Sequence, residues 1–383
     1  MTVAYKTLIF ANAFSIALAF TACTPDSKVQ SIATVDEIVY NGDKPMSCIN
    51  SIIDTLEYIP LYGSVEFPIG RADDLQISDN GFFILDQRRG TIHAYDMDGI
   101  RRFQINRMGH GEGEYLEIAC FTLTDSYILT VDNFTKKINA YSLTDGRYIT
   151  CYKSPFPICG LRALANGDFL IAELTMEGTV TSDISHNMRI YITDQKFNIK
   201  SSALSFGEGR DYFMMPQHIQ SSDDYISYAS YGFNGFTLIN PENGEILANI
   251  PITTERPYDA KVFSKLDMDD YEKVSDAANK IQFISSTPIY TSKYIYFNIR
   301  DNGKSVPCIY SNVDKKWYKN SSDNYANLFM PPETSYTGKF YSLYNFGPDF
   351  LEEQLKMGFN RPDNISDSII RNNGSVILVY TMK

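Results

Sequence analysis

Residues 81–86, Gly-Phe-Phe-Ile-Leu-Asp, form a short apolar run that ends in a single charged residue. Two more runs rich in aromatic and β-branched residues follow, Thr91–Tyr95 and Arg101–Ile105, and the turn dipeptide Asp98-Gly99 separates them. Short runs of this composition between Asp-Gly or Asn-Gly turns are typical of hairpin strands. The stretch therefore predicts three successive antiparallel strands.

The same pattern returns 46 residues later in the chain. Tyr127–Asp132 matches the first run, so that Asp132 aligns with Asp86, and Lys137–Tyr141 matches the second run. A repeat of about 40 to 50 residues that holds three or four strands is the signature of a propeller blade. Such a blade buries its two faces only against neighbouring blades.

Six such units fit within residues 36–383. Their innermost strands are predicted to begin near Arg71, Ile118, Gly160, His218, Gln282 and Phe340. The sixth unit lacks an outer strand, and the apolar-rich run Ile52–Leu61 is the expected donor, because it would remove an exposed sheet edge. The sequence thus predicts an all-β fold, a six-bladed β-propeller of four-stranded antiparallel blades whose last blade is closed by an N-terminal strand.

Two segments interrupt the strand pattern. Residues 258–281 contain many charges with spaced apolar residues and neither proline nor glycine, which predicts a helical insertion between blades 4 and 5. Phe350–Met357 predicts a second short helix. Both are expected to cover a sheet edge or a channel mouth.

The N-terminus has the pattern of an export signal. Lys6 precedes the uncharged run Leu8–Phe20, which is shorter than the roughly 20 apolar residues that span a bilayer. Cys23 follows Thr21-Ala22 and resembles the lipidated cysteine of a bacterial lipobox. We therefore expect a signal peptide over residues 1–22, lipidation of Cys23, and a tether over residues 23–35. An ordinary cleaved signal peptide is the alternative.

Composition narrows the classes of partner. The chain has 46 acidic residues against 34 Lys and Arg, a formal net charge of −12, which argues against nucleic acid as a partner. The sequence has neither a Cys-x-x-Cys motif nor a Cys/His cluster, so no metal or cofactor is predicted. Cys151 and Cys159 are the only close cysteine pair; buried free thiols are the expected state, and a disulfide between these two is the alternative.

The chain resembles the six-bladed β-propeller lipoproteins of Gram-negative gut bacteria, which are similar to NHL-repeat propellers. Besides the lipobox, the resemblance rests on Asp54–Leu61 (DTLEYIPL), Phe82–Asp86 (FFILD), Met108–Tyr115 (MGHGEGEY) and Val376–Tyr380 (VILVY). It covers nearly the whole chain after the signal segment. It implies a propeller fold and attachment to the cell envelope rather than a particular activity.

Candidate binding residues come from the propeller end that carries the blade-to-blade connections and the turns between second and third strands. Aromatic residues mixed with Arg and Asn suit recognition of a sugar or peptide, although they could equally pack on neighbouring loops. The candidates are Arg88, Arg89, His110, Glu112, Asn133, Phe134, Tyr231, Phe233 and Arg300.

The Gly-rich run 109–114 lies in the same region and could cradle an anion. A phosphate loop needs a helix after it, whereas a strand is expected here. A partial copy recurs at 206–212, which favours a structural connection between blades.

Three functional hypotheses remain. The first is a lipid-anchored module that binds a glycan, a peptide or a protein partner. Surface-exported lipoproteins of these bacteria tend to carry acidic residues soon after the lipidated cysteine. Only Asp26 is acidic before Lys28, so the periplasmic face of the outer membrane is favoured. The second is a lyase or hydrolase of an extracellular polymer that uses His110 or His218 with carboxylates of the channel. The third is a scaffold subunit of an envelope complex. The sequence has no Gly-x-Ser-x-Gly motif, so no catalytic residue is assigned.

Overall fold

A computed structural model describes residues 37–173, 188–205, 219–229, 234–259, 265–266, 270–321, 327–345 and 374–383. These residues form six sheets that follow one another along the chain. Each sheet is one blade of a six-bladed β-propeller, which confirms the fold predicted from the repeat.

Three strands precede the first complete blade. They are β1 (Ile38–Tyr40), β2 (Ser47–Cys48) and β3 (Ile53–Pro60). These strands join the outer edges of blades 4, 5 and 6, respectively. The N-terminal segment therefore runs along half of the ring before blade 1 begins.

Blades 1 to 3 each contain four strands that pair antiparallel in chain order. Blade 1 consists of β4 (Asp74–Ser78), β5 (Gly81–Asp86), β6 (Thr91–Tyr95) and β7 (Arg101–Ile105). Blade 2 consists of β8 (Cys120–Leu123), β9 (Tyr127–Asp132), β10 (Lys137–Ser142) and β11 (Tyr148–Lys153). Blade 3 consists of β12 (Ile158–Ala163), β13 (Phe169–Glu173), β14 (Met188–Thr193) and β15 (Ile199–Ser205).

Blades 4 to 6 are less regular. Blade 4 contains β16 (Ile219–Ser221), β17 (Ile226–Tyr228), β18 (Gly235–Ile239) and β19 (Ile246–Thr254). Blade 5 contains β20 (Phe283–Ile284), β21 (Ile289–Tyr290), β22 (Tyr294–Asp301), β23 (Lys304–Ser311) and β24 (Lys316–Lys319). Blade 6 contains β25 (Thr334–Tyr336), β26 (Lys339–Asn345) and β27 (Ser375–Met382). Within the described residues, the helices are α1 (Tyr271–Ala278) and the 3-10 turns Ile49–Ile52 and Gln87–Arg89.

The ring is closed by β3, as the sequence predicts. It pairs antiparallel with β27 from Ile53 opposite Met382 to Pro60 opposite Val376, and so becomes the outer strand of blade 6. The parallel pairing of β1 with β19 and of β2 with β24 was not predicted. Trp317 Nε1 in β24 donates a hydrogen bond to the carbonyl of Val39 at 2.7 Å, which ties β1 to blade 5 as well.

Two details differ from the sequence-based expectation. The innermost strand of blade 6 is β25, whereas Phe340, predicted to begin it, lies in the second strand β26. Within the predicted insertion 258–281 the helix α1 covers only Tyr271–Ala278, and residues 260–264 and 267–269 lie outside the described residues, as does the predicted helix 350–357. Among the described helices, none has the length and apolarity needed to cross a bilayer.

Six apolar clusters form the core, and each lies between two neighbouring blades. Strand β5 shows why residues 82–85 are all apolar. Phe82 and Ile84 pack toward blade 6, whereas Phe83 and Leu85 pack toward blade 2. Because both faces of the strand are buried, the usual alternation of polar and apolar residues is absent.

The repeated aspartates Asp86 and Asp132 have the same structural role. Asp86 accepts hydrogen bonds from the backbone N–H of Gly70 at 2.7 Å and of Arg89 at 3.2 Å. Asp132 accepts from Leu116 at 2.8 Å and from Thr135 at 3.0 Å. Each carboxylate thus caps the turn after the second strand and fixes the segment that leads into its own blade.

Candidate binding site

The innermost strands surround a central channel with two unlike ends. One, here called the loop end, carries the connections that lead into the innermost strands, such as 61–73 and 106–119. The other, the turn end, carries the turns between innermost and second strands, such as 78–81 and 123–127. Since successive strands run in opposite directions, these two sets lie at opposite ends of the channel.

Arg162 in β12 divides the channel. Its side chain is buried, and Nη2 lies 3.3 Å from Asp74 Oδ1 on the innermost strand of blade 1. The same guanidinium donates to the carbonyls of Phe121 at 3.3 Å and Ile219 at 3.1 Å. It therefore links the innermost strands of blades 1, 2, 3 and 4, and it lines a cavity on each side of itself.

The cavity at the turn end has a volume of about 740 Å³. Its lining is rich in hydroxyl groups, which come from Ser78, Thr122, Thr124, Ser126, Ser221, Ser222, Thr334 and Ser335. Three carboxylates belong to the same lining, Asp79, Asp125 and Asp223. Among the described residues that line it, Arg162 is the only cation, and its charge is paired with Asp74.

Bonds between blades fix the rim of this cavity. Asp223 of blade 4 accepts from the backbone N–H groups of Thr337 at 2.8 Å and Gly338 at 2.7 Å in blade 6, so it reaches past blade 5. Tyr336 donates its hydroxyl to Asp79 of blade 1 at 2.5 Å. This hydrogen bond, together with partial burial, raises the pKa of Tyr336 to about 12. The phenol therefore remains a donor at neutral pH.

One wall of the cavity is apolar and lies between blades 2 and 3. Phe169 is buried there, Leu143 beside it is buried between blades 1 and 2, and Tyr127 is 38% exposed. Tyr152 also lines this wall, and its ring centroid lies 5.4 Å from that of Phe197 in an edge-on contact. A cavity with a polar floor and one aromatic wall can hold a ligand that carries both hydroxyl groups and an apolar face.

The cavity at the loop end is smaller, about 210 Å³. Arg71, Asp73 and Cys120 line it, and Arg71 Nε donates to Asp73 at 2.6 Å. Burial raises the pKa of the Cys120 thiol to about 12, so this group is an unreactive thiol. The five described cysteines are all free, Cys151 and Cys159 included.

Seven of the nine sequence-predicted binding residues are described, and none of these seven lines either cavity. Arg89 Nη1 donates to the carbonyl of Pro68 at 2.6 Å and lies 3.3 Å from Asp86. Asn133 pairs with both backbone groups of Ile158, at 3.0 and 2.9 Å. These two side chains hold the loop end together.

The other predicted residues are solvent-facing or outside the described part. Phe134 is 73% exposed. Arg88, His110, Glu112 and Arg300 are also exposed. Tyr231 and Phe233 lie outside the described residues. A ligand contact by this set stays a prediction.

The Gly-rich run 109–114 makes bonds within and between blades. Glu114 accepts from the N–H of Gly111 at 2.7 Å, and the Tyr141 hydroxyl donates to the carbonyl of Gly113 at 2.9 Å. Gly113 has φ of 69°, and a Cβ at this position would lie 2.5 Å from the Tyr148 ring. The run is thus the structural connection between blades 1 and 2.

The histidines do not form a metal centre in the described part of the chain, where no group of three His, Cys, Asp or Glu is placed to hold a metal ion. His93 is buried in β6, and neither ring nitrogen has a hydrogen-bond partner there. Burial lowers the pKa of His93 to about 4. His186 and His218 lie outside the described residues.

Sequence reasoning missed the turn-end cavity. Its residues belong to short Ser- and Asp-containing turns, such as 78–80 and 124–126, whose sequences are typical of solvent-exposed turns. The available signal was positional, because one such turn follows each innermost strand and all of them meet at one end of the channel.

The fold and the cavity together define a six-bladed β-propeller with a large cavity at one end of its channel. The chain belongs to the DUF5128 family, described as 6-bladed beta-propeller, whose model matches residues 27–339. No curated protein matches the chain.

The chain is similar in fold to a protein from Bacteroides fragilis that is predicted to be exported. The two share 16% identity over 91% of this chain and 99% of that one, with a TM-score of 0.72, which shows the fold alone. A streptogramin B lyase is more distant, with 14% identity, 85% and 98% coverage and a TM-score of 0.42. BamB from Moraxella catarrhalis has 11% identity, 69% and 63% coverage and a TM-score of 0.36.

Proposed function

We propose that the protein is a lipid-anchored module of the cell envelope that binds its ligand in the turn-end cavity. The single observation that carries this proposal is the cavity of about 740 Å³, which lies within the range of roughly 300 to 1,000 Å³ common for small-molecule sites. A glycan, a peptide or a segment of a partner protein could occupy it.

The scaffold around the cavity supports a binding role. Six buried clusters close the ring, and Arg162 and Asp223 connect blades that are distant in sequence. The turns at the rim are therefore held in place before a ligand arrives. Such preorganisation reduces the ordering that binding would otherwise require.

Two observations support placement in the envelope. The apolar run Leu8–Phe20 and Cys23 have the pattern of a lipoprotein signal, and the similar Bacteroides fragilis structure is of a protein predicted to be exported. We place the protein on the outer membrane, with the periplasmic face favoured. Cys23→Ala should abolish labelling with a palmitate analogue, and retained labelling would contradict the anchor.

Thermal melts of the chain from Ser27 onward test the binding role, since all described blades lie after residue 37. Oligosaccharides, peptidoglycan fragments, peptides and divalent metals form the panel. A ligand at a hundredfold excess over its Kd stabilises the fold by about 2.7 kcal/mol. Ser126→Trp places a large ring in the cavity and should remove the shift. A shift that persists in this variant would place the ligand elsewhere.

A further inference from the structure

The inner turns, which join each innermost strand to the second strand of its blade, contain aspartate in four of the six blades. Asp79, Asp125 and Asp223 line the turn-end cavity from blades 1, 2 and 4, and all three are exposed at its rim. Asp168 of blade 3 does not line the cavity and pairs with Lys200 at 2.5 Å. Because the three lining carboxylates come from different blades, negative charge lies on several sides of the opening.

No cation among the described residues offsets this charge. None of the three carboxylates forms an ion pair with a described Lys or Arg. Arg162 lies between the two cavities and is paired with Asp74. Lys339 of blade 6 pairs with Glu57 at 3.0 Å, and the exposed Lys293 of blade 5 does not line the cavity. A cleft lined by one sign of charge focuses its field and favours a ligand of the opposite charge.

Two of these carboxylates are held in place by neutral donors. The Tyr336 hydroxyl donates to Asp79 at 2.5 Å. The N–H groups of Thr337 and Gly338 each donate to one oxygen of Asp223. A carboxylate has about four acceptor positions, so each of the two can still accept from a cation. The bonds fix the position of the charge without neutralising it.

The apolar wall of the cavity sets a second requirement for the ligand. Tyr127 lies two residues after Asp125, and Tyr152 and Phe169 belong to the same wall. A carboxylate and an apolar surface therefore lie side by side. A fitting ligand places an apolar group on this wall and a cation at the rim, since a cation deeper in the cavity would meet the guanidinium of Arg162.

We propose that the ligand is a basic peptide, an inference that rests on the proposed binding function. Lys or Arg side chains supply the cations at the rim, and an apolar side chain between them packs against the wall. The stems of Lys and Arg also pack on aromatic rings while their charged ends stay in water. A neutral glycan would leave the rim charge unused, and an acidic peptide would be repelled by it.

A matched pair of variants tests the role of the rim. Asp125→Asn removes one charge from the rim, and Asp314→Asn removes one charge from an exposed turn of blade 5 that lines neither cavity. Both variants should melt at the wild-type temperature, because both side chains face solvent. Only Asp125→Asn should weaken binding of a basic peptide, by about twofold to fivefold, the effect of one exposed ion pair.

Calorimetric titrations with defined probes decide the ligand class. The probes are the capped tripeptides Lys-Leu-Lys, Gln-Leu-Gln, Glu-Leu-Glu and Lys-Gly-Lys, and a neutral gluco-oligosaccharide. The proposal is supported if Lys-Leu-Lys binds most tightly and its binding weakens with added NaCl and in Asp125→Asn but not in Asp314→Asn.

Three results would overturn parts of the proposal. Equal binding of Gln-Leu-Gln or Glu-Leu-Glu overturns the requirement for a cation. Equal binding of Lys-Gly-Lys overturns the requirement for an apolar side chain. Equal weakening in Asp125→Asn and Asp314→Asn overturns the role of the rim, because the overall charge of the protein would then account for the attraction.

The remaining outcomes separate this inference from the proposed function. If the oligosaccharide binds, Ser126→Trp removes that binding, and Lys-Leu-Lys does not bind, the peptide class is wrong while the cavity remains a binding site. If no probe shows binding that Ser126→Trp removes, both the basic peptide and the turn-end site are overturned.

Discussion

The two ends of the channel use their polar residues differently. At the loop end, Asp86, Arg89 and Asn133 bond to backbone groups of neighbouring segments, and the cavity is about 210 Å³. At the turn end, the cavity is about 740 Å³, and Ser and Thr hydroxyl groups line it together with Asp79, Asp125 and Asp223. The comparison teaches that charged and amide side chains in the loops of a propeller can serve to join its segments.

The largest expected loss of stability comes from replacing Arg162, which separates the two ends of the channel. Arg162→Met leaves Asp74 buried without its cation, and breaking a buried ion pair in this way costs about 3 to 5 kcal/mol. Urea unfolding measures this loss in the free energy of unfolding.

The double variant Arg162→Met/Asp74→Leu is the control. It removes both charges, and it should recover most of the lost stability because paired burial of ions is close to neutral against apolar packing. If the double variant is as unstable as the single one, the hydrogen bonds to Phe121 and Ile219, rather than the ion pair, hold the four blades.

Some strands of the fold could be predicted from the sequence, and others could not. Blades 1 and 2 were predictable because their strands are buried on both faces and end in capping aspartates, as in 81–86. The innermost strand of blade 6, Thr334–Tyr336, is short and polar, so the more apolar β26 was taken in its place. The parallel strands β1 and β2 span three and two residues, and their register depends on partners about 200 to 270 residues away.

The cavity itself could not be predicted from the sequence. Its floor and rim combine turns from blades 1, 2, 3, 4 and 6, so Arg162 meets Asp74 across 88 residues of chain. Nothing local to either residue signals that contact. Only the closure of the ring, which the repeat did predict, brings them together.

A second prediction concerns pH and the loop end. Burial lowers the pKa of His93 to about 4; Arg101 and Arg89 add to this shift, and Asp86 opposes it. Between pH 6.5 and 4 the unfolded chain binds more protons than the folded one, so stability falls as the pH falls. From pH 7 to pH 5 this residue should account for about 2 kcal/mol.

His93→Leu isolates this contribution. Urea unfolding of both proteins at pH 7 and pH 5 should show a smaller loss in the variant. Equal losses would mean that the imidazole is not buried in its neutral form.

A smaller effect is expected at the rim of the turn end. Asp223→Ala removes the acceptor for Thr337 and Gly338, which joins blade 4 to blade 6, and these bonds are exposed to solvent. The loss should be about 1 kcal/mol. Hydrogen exchange at the amide of Gly338 should accelerate, whereas that of Gly70, bonded to Asp86 at the loop end, should not. Acceleration at both would mean that the two ends unfold together.

The smallest effects should come from one exposed residue at each end. Asp125→Asn and Phe134→Ala should each change the free energy of unfolding by less than about 0.5 kcal/mol, because both side chains face solvent. Titration with a ligand identified by the thermal melts should then show which end of the channel binds it. Asp125→Asn should weaken binding about twofold to fivefold, as expected for one solvent-exposed hydrogen bond at the rim. If Phe134→Ala weakens binding instead, the ligand lies at the loop end, where the sequence alone had placed it.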